Sequence, residues 1–299
     1  MHHENKIVSI TSCSAEKTMA PKVVVKNTVF ESLEEFSKFW SNKITTVSER
    51  LSARSQYTGR GFRHVCSRTM SDPLFVVSAG LGLISADNKI PSYELTISPG
   101  SEGSIHNFLD CEFDATDWWE KLKLLNWGNL TFSDLAKNCD FVLMSLSEPY
   151  LKMIINDIAH ISNKIVLFSG NNTVTRKIKS LGGQVPYTEK FDGPQCPIPG
   201  AKIDFAQRCH ADFLDRLKEL GTVEKVFASI KKDMNEWDVP VKHNNKPLSD
   251  EEMRLLITEY KPQFSSIGAM LKFFRHDRKV ACEEKRFASL YRSVSEGVM

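Results

Sequence analysis

Apolar positions alternate between short β-branched runs and stretches at helical spacing. Lys6-Ile-Val-Ser-Ile-Thr11 reads as a buried strand that ends in the small polar cluster Ser12-Cys13-Ser14. Leu33, Phe36, Phe39, Trp40 and Ile44 recur at helical spacing and predict an amphipathic helix over Phe30 to Arg54. Three further apolar runs, Pro73 to Ala79, Asp140 to Ser145 and Lys164 to Ser169, predict strands. Between and after them Asp117 to Leu125, Thr131 to Lys137, Pro149 to His160, Thr173 to Leu181 and Ile203 to Leu220 predict helices. Strands alternating with helices predict an α/β fold with a mainly parallel central sheet flanked by helices. In such sheets ligands bind beyond the carboxyl ends of the strands. The loops Ser12-Cys13-Ser14, Ser78 to Gly82, Ser145 to Glu148 and Ser169 to Asn172 are therefore expected to converge on one cleft.

Three prolines and Gly193 make Lys190 to Pro199 an extended loop. Polar residues with two prolines mark 238–247 as a linker between an α/β domain over 1–237 and a small C-terminal helical domain over 248–299. The second domain opens on Ser249-Asp250-Glu251-Glu252, a helix start with an acidic first turn. No apolar run is long enough to span a bilayer, so a soluble, cytoplasmic protein without membrane contact is expected. Seven scattered cysteines, none in a C-x-x-C pair, predict neither a disulfide framework nor a zinc ribbon. No Walker or G-x-G-x-x-G pattern occurs, so no nucleotide cofactor is expected.

Net charge is only +2, but its distribution is uneven. Lys43, Arg50, Arg54, Arg60, Arg63 and Arg68 face one acid, Glu49, between Ser41 and Met70. Lys272, Arg275, Arg278, Lys279, Lys285, Arg286 and Arg292 crowd the C-terminal segment against Asp277, Glu283 and Glu284. Such stretches suit phosphate contacts as well as they suit solvated helix faces. In the second, Ile267, Met270, Leu271 and Phe274 form the apolar face of one helix.

The stretch Ser78-Ala79-Gly80-Leu81-Gly82, followed by Asp87, Ile90 and Tyr93, places small residues, an acid and a phenol just after a buried strand. It resembles the signature of YaaA-like proteins and of a domain of archaeosine synthase. Ser12-Cys13-Ser14 with Lys17, and Tyr57 to Arg63, fit the same relatives. The resemblance covers 6–97 in motif and 6–215 in layout. A further likeness is to antiphage DNA glycosylases that excise glucosylated hydroxymethylcytosine and share a uracil-DNA-glycosylase-like layout. In place of the Gly-Gln-Asp-Pro-Tyr loop of uracil-DNA glycosylase, the chain has Ser12-Cys13-Ser14-Ala15-Glu16.

The resemblance implies an enzyme that flips a bulky modified base out of double-stranded phage DNA and hydrolyses its N-glycosidic bond in antiviral defence, without a cofactor. The alternatives are a non-catalytic DNA-binding stress-response protein and a base-exchanging enzyme acting on RNA. Glycosidic cleavage needs a carboxylate near the cation-like sugar. Asp87 and Glu16 are the catalytic candidates, with Glu148 a weaker one. Ser12, Cys13, Ser14, Lys17, Tyr57, Arg60, Tyr93, Asn171 and Asn172 are the substrate-binding candidates. Tyr57 and Tyr93 suit stacking on the flipped base as well as they suit burial in the core, and Asn171 and Asn172 suit gripping its edge as well as capping a helix. Arg63, Lys272, Arg275, Arg278, Lys279 and Arg286 are expected to meet DNA phosphates.

Overall fold

A computed structural model of the chain describes residues 5–168, 185–241 and 245–296. Its central sheet has five strands: β1 (Ile7–Ser12), β2 (Leu74–Ser78), β3 (Gly82–Ser85), β4 (Phe141–Ser145) and β5 (Ile165–Leu167). They lie in the order β3-β2-β1-β4-β5. β2, β1, β4 and β5 are mutually parallel, and β3 is an antiparallel edge strand. β1 is the centre, pairing Ser9 with Leu74 on one side and with Leu143 on the other.

The predicted first helix spans only Leu33–Thr46, because the polar stretch Val47 to Arg50 breaks the apolar stripe that Phe36, Trp40 and Ile44 bury. The Ser32 side chain caps it by accepting from the Glu35 amide. The chain beyond it forms a two-residue strand and the short helices Ala53–Gln56 and Arg60–Cys66. Helices Ala115–Leu124, Phe132–Lys137 and Glu148–Ala159 fall close to their expected places. The segment from 173 to 181 lies outside the described residues.

β3 was not anticipated, because Gly80 and Gly82 read as the end of a strand. They form instead the turn of a β2–β3 hairpin, with Gly82 at φ +77°. Ser78 Oγ accepts from the amides of Gly80 and Leu81, while the buried indoles of Trp40 and Trp118 donate to the carbonyls of Gly80 and Ala79. A Cβ on Gly80 would stand 2.8 Å from both Trp40 and Tyr93. The small residues of the motif are thus required by packing.

Helix Phe205–Leu220 packs on β4 and on helix Arg60–Cys66. His210 on this helix is fully buried, with its two ring nitrogens 3.1 Å from Ser9 Oγ and 2.9 Å from Ser145 Oγ. Its ring stacks on Phe168 at 4.7 Å. A further helix, Val223–Glu236, follows it and had no counterpart in the sequence reading.

The chain divides into two units, 1–240 and 241–299. In the second, helices Asp250–Tyr260, Ile267–His276 and Glu284–Glu296 enclose Met253, Ile257, Met270, Leu271, Phe274, Phe287 and Leu290. Lys246–Pro247, expected in the linker, pairs with Val280–Ala281 and belongs to this unit. A capping box joins Ser249 and Glu252 at the start of its first helix. Among the described residues no helix is long and apolar enough to cross a membrane.

Burial lowers the His210 pKa to about 3, so the native state holds the imidazole neutral where the unfolded chain protonates it. That stability is complete above the unfolded pKa and is lost as pH falls from 6.5 towards 3, by up to about 1.4 kcal/mol per pH unit. Urea midpoints measured between pH 7 and 5 should fall in the wild type and stay flatter in His210→Gln.

Candidate functional site

The site grows from the loop that leaves β1. Lys17 pairs with Tyr57 in an isolated antiparallel bridge, and the Thr58 amide donates to the Glu16 carbonyl at 3.0 Å. Side chains alternate across such a pairing, so Lys17 and Tyr57 turn inward while Glu16 and Thr58 turn outward. The loop therefore has two faces of different character.

The inward face is packed. Tyr57, Tyr93 and Tyr150 are all buried. The hydroxyls of Tyr57 and Tyr93 share a hydrogen bond of 2.8 Å, and Tyr93 also bonds Ser78 Oγ. Cys13 Sγ lies 3.2 Å from the Tyr150 hydroxyl, which stands 3.5 Å from Thr96 Oγ1. Lys17 Nζ sits 4.7 Å from the centroid of Tyr93 and 5.8 Å from that of Tyr57, and donates to the carbonyls of Ser14 and Ala15. Burial pulls the Lys17 amine below its usual pKa, against the opposing pull of Cys13 and Glu94. Burial likewise raises the phenols of Tyr57, Tyr93 and Tyr150, and the Cys13 sulfur adds to the effect.

The outward face is open. Glu16, Thr58, Arg60, Arg63, His64 and Ser67 line a depression of about 610 Å³. Glu16 is exposed and is the only carboxylate in this lining. Arg60 Nε donates to Asp204 at 2.6 Å. Asp204 precedes helix Phe205–Leu220 at the cap position but makes no side-chain cap bond, so its carboxylate serves the arginine instead. Holding Nε leaves the terminal nitrogens of Arg60 for a ligand. Arg63 is exposed and has no polar partner among the described residues. Burial depresses the His64 pKa, and Arg68, Arg208 and Arg60 depress it further against the opposing pull of Asp204.

The structure unites Glu16, Arg60 and Arg63 around this depression, with Ser12 at the end of β1 and Cys13, Ser14 and Lys17 on the loop that leads to Glu16 and beyond. Ser12 Oγ accepts from Gln207 at 3.4 Å, and Ser14 Oγ accepts from the Gly59 amide at 3.0 Å. Asp87 lies elsewhere. The antiparallel course of β3 carries it back to the amino end of the sheet, where it is 70% exposed and paired with Arg54 at 2.7 Å. Tyr57 and Tyr93 are not available to stack on a base, since Phe62 and Trp40 occupy their rings edge-on and their hydroxyls satisfy each other. Glu148 pairs with Lys152 on the first turn of its own helix. Asn171 and Asn172 lie outside the described residues.

The C-terminal cations also divide. Arg275 donates twice to the Cys282 carbonyl, and Arg286 binds Asp250 and the Leu248 carbonyl, so both hold the unit together. Lys272, Arg278 and Lys279 are exposed. Sequence reasoning missed Thr58, His64, Ser67 and Asp204. Thr58, His64 and Ser67 flank Arg60 and Arg63 in the chain and were within reach, whereas Asp204 is 144 residues from Arg60. No family model and no curated protein matches the chain.

A Cβ on Gly59 would stand 2.2 Å from Ser14 Oγ, so the Ser14 hydroxyl must turn away and give up the bond it accepts from the Gly59 amide. Gly59→Ala should lower the melting temperature of the wild-type protein. The loss should shrink in a Ser14→Gly background, which removes the obstructing atoms. A double-mutant cycle by thermal denaturation checks this coupling.

Proposed function

We propose that the protein is a DNA glycosylase that hydrolyses the N-glycosidic bond of a bulky modified base. The observation that carries this reading is the depression in which Glu16, beside hydroxyls and an imidazole, faces the arginine-bearing segment just past the central strand. Its volume of about 610 Å³ is in the range of small-molecule sites and suits a single extruded nucleotide. The likeness of the Ser12–Lys17 and Tyr57–Arg63 segments to base-acting domains supports the same chemistry.

In this mechanism Arg60 and Arg63 hold the phosphates that flank the extruded nucleotide, with Asp204 fixing the direction of Arg60. The Glu16 carboxylate stabilises the sugar as positive charge develops at its anomeric carbon, and orients the attacking water. The departing base takes up a proton from solvent or from a donor along the Thr58, His64 and Ser67 wall. Glucosylated hydroxymethylcytosine is the substrate class that the resemblance favours, and its added hydroxyls offer the handle for selection against plain cytosine.

The test incubates the purified chain with glucosylated, hydroxymethylated and plain DNA and detects free base by mass spectrometry. Release from the glucosylated duplex is expected, and release from none would favour a binding protein. Glu16→Gln should slow release by about a hundredfold or more while leaving DNA affinity near the wild-type value, because the charge acts mainly in the transition state. Asp87→Asn should leave release unchanged. The reverse pattern would move the chemistry to Asp87 and away from the depression.

A further inference from the structure

The helix Ile267–His276 buries Met270, Leu271 and Phe274, and a further large aromatic, Phe273, packs against the edge of that core without being enclosed by it. Phe273 lies about 60° off the buried stripe, on the border with the side that presents Lys272 and His276. It is half-buried, and two other half-buried rings adjoin it. Tyr260 lies 5.3 Å away and Phe264 5.1 Å away, both tilted by about 40°. The Arg278 guanidinium sits 5.1 Å from the centroid of Tyr260. Lys272, Arg278 and Lys279, close in the chain to Phe273, are all exposed, as are the acids Glu259 and Asp277.

We propose that this aromatic group with its cations is a binding surface for unpaired nucleobases and the phosphates that join them, that is, for a single-stranded segment of nucleic acid. Every base presents a π-face to an aromatic side chain, and cations at the rim neutralise the phosphates between successive bases. Positive charge beside the rings selects a polyanion over an apolar peptide or a second copy of the unit. A duplex keeps its bases stacked inside and offers this surface only its phosphates. The inference stands apart from base excision and survives if that reading fails.

The experiment measures fluorescence anisotropy of a labelled oligothymidylate of about 15 nucleotides, and of a hairpin duplex, titrated with the full chain. Arg60→Ala/Arg63→Ala serves as the background, so that binding at the depression does not mask the effect. Phe264→Ala and Arg278→Ala should each weaken single-strand binding by about tenfold, and duplex binding by less than about twofold. Phe264→Tyr should retain affinity, because it keeps a stacking ring. Lys272→Ala should reduce the slope of log affinity against log salt by about 0.7 on the single strand. Thermal melting of each variant verifies the fold, and Arg278→Ala, at an exposed position, carries the test if Phe264→Ala unfolds the unit. Equal losses on both probes, no loss on either, or a change in oligomeric state alone would overturn the proposal.

Discussion

The Tyr93 hydroxyl is the joint on which the carboxyl end of the central parallel strands depends. It bonds Ser78 Oγ in the hairpin turn and the Tyr57 hydroxyl in the segment that leads to Arg60. These groups are buried, so each bond made among them replaces one that water would otherwise supply. The net gain per bond is only about 1 kcal/mol, but a hydroxyl left without a partner there costs about 1–3 kcal/mol. The three groups are therefore held to one arrangement. Tyr57 in turn pairs with Lys17, and that pairing turns Glu16 towards solvent.

From this joint follows the division between a packed face and an open one. The inward side of the loop is filled with phenols, a thiol and a desolvated amine, a set of groups already occupied with one another. The outward side keeps one carboxylate opposite cations that few local contacts consume. Helix Phe205–Leu220 secures both faces from behind: His210 bonds β1 and β4, Gln207 reaches Ser12, and the preceding Asp204 holds Arg60. Arg208 on the same helix is fully buried and donates to Asp192 and to the Ile198 and Ala201 carbonyls, which fastens the proline-rich loop beside it. A lesion in this helix would therefore reach the depression without touching any residue that lines it.

The C-terminal unit shows that basic residues in one run can serve opposite ends. Arg275 and Arg286 direct their planar forks onto carbonyls and a carboxylate of their own unit, a use to which guanidinium geometry is well suited. Lys272 and Lys279 stay in solvent, and Arg278 covers a tyrosine. Charge counted along the sequence does not separate these roles, because the distinction lies in which acceptors the fold brings within reach.

The sequence by itself determined the α/β class, the four parallel strands and most of their helices, because apolar periodicity records which face of each element is buried. It also singled out Glu16, Arg60 and Arg63, which the structure exposes, Glu16 on the loop after the central strand and the two arginines on the short helix Arg60–Cys66. Only the tertiary structure decided the fate of Asp87, since a second strand in the hairpin reverses the chain and takes that carboxylate to the opposite end of the sheet. It likewise decided that Tyr57 and Tyr93 are core residues, because a phenol is compatible with either setting until its neighbours are known. The partnership of Arg60 with Asp204 was beyond any local pattern, for a contact across 144 residues is made by packing helix on helix and leaves no spacing to read.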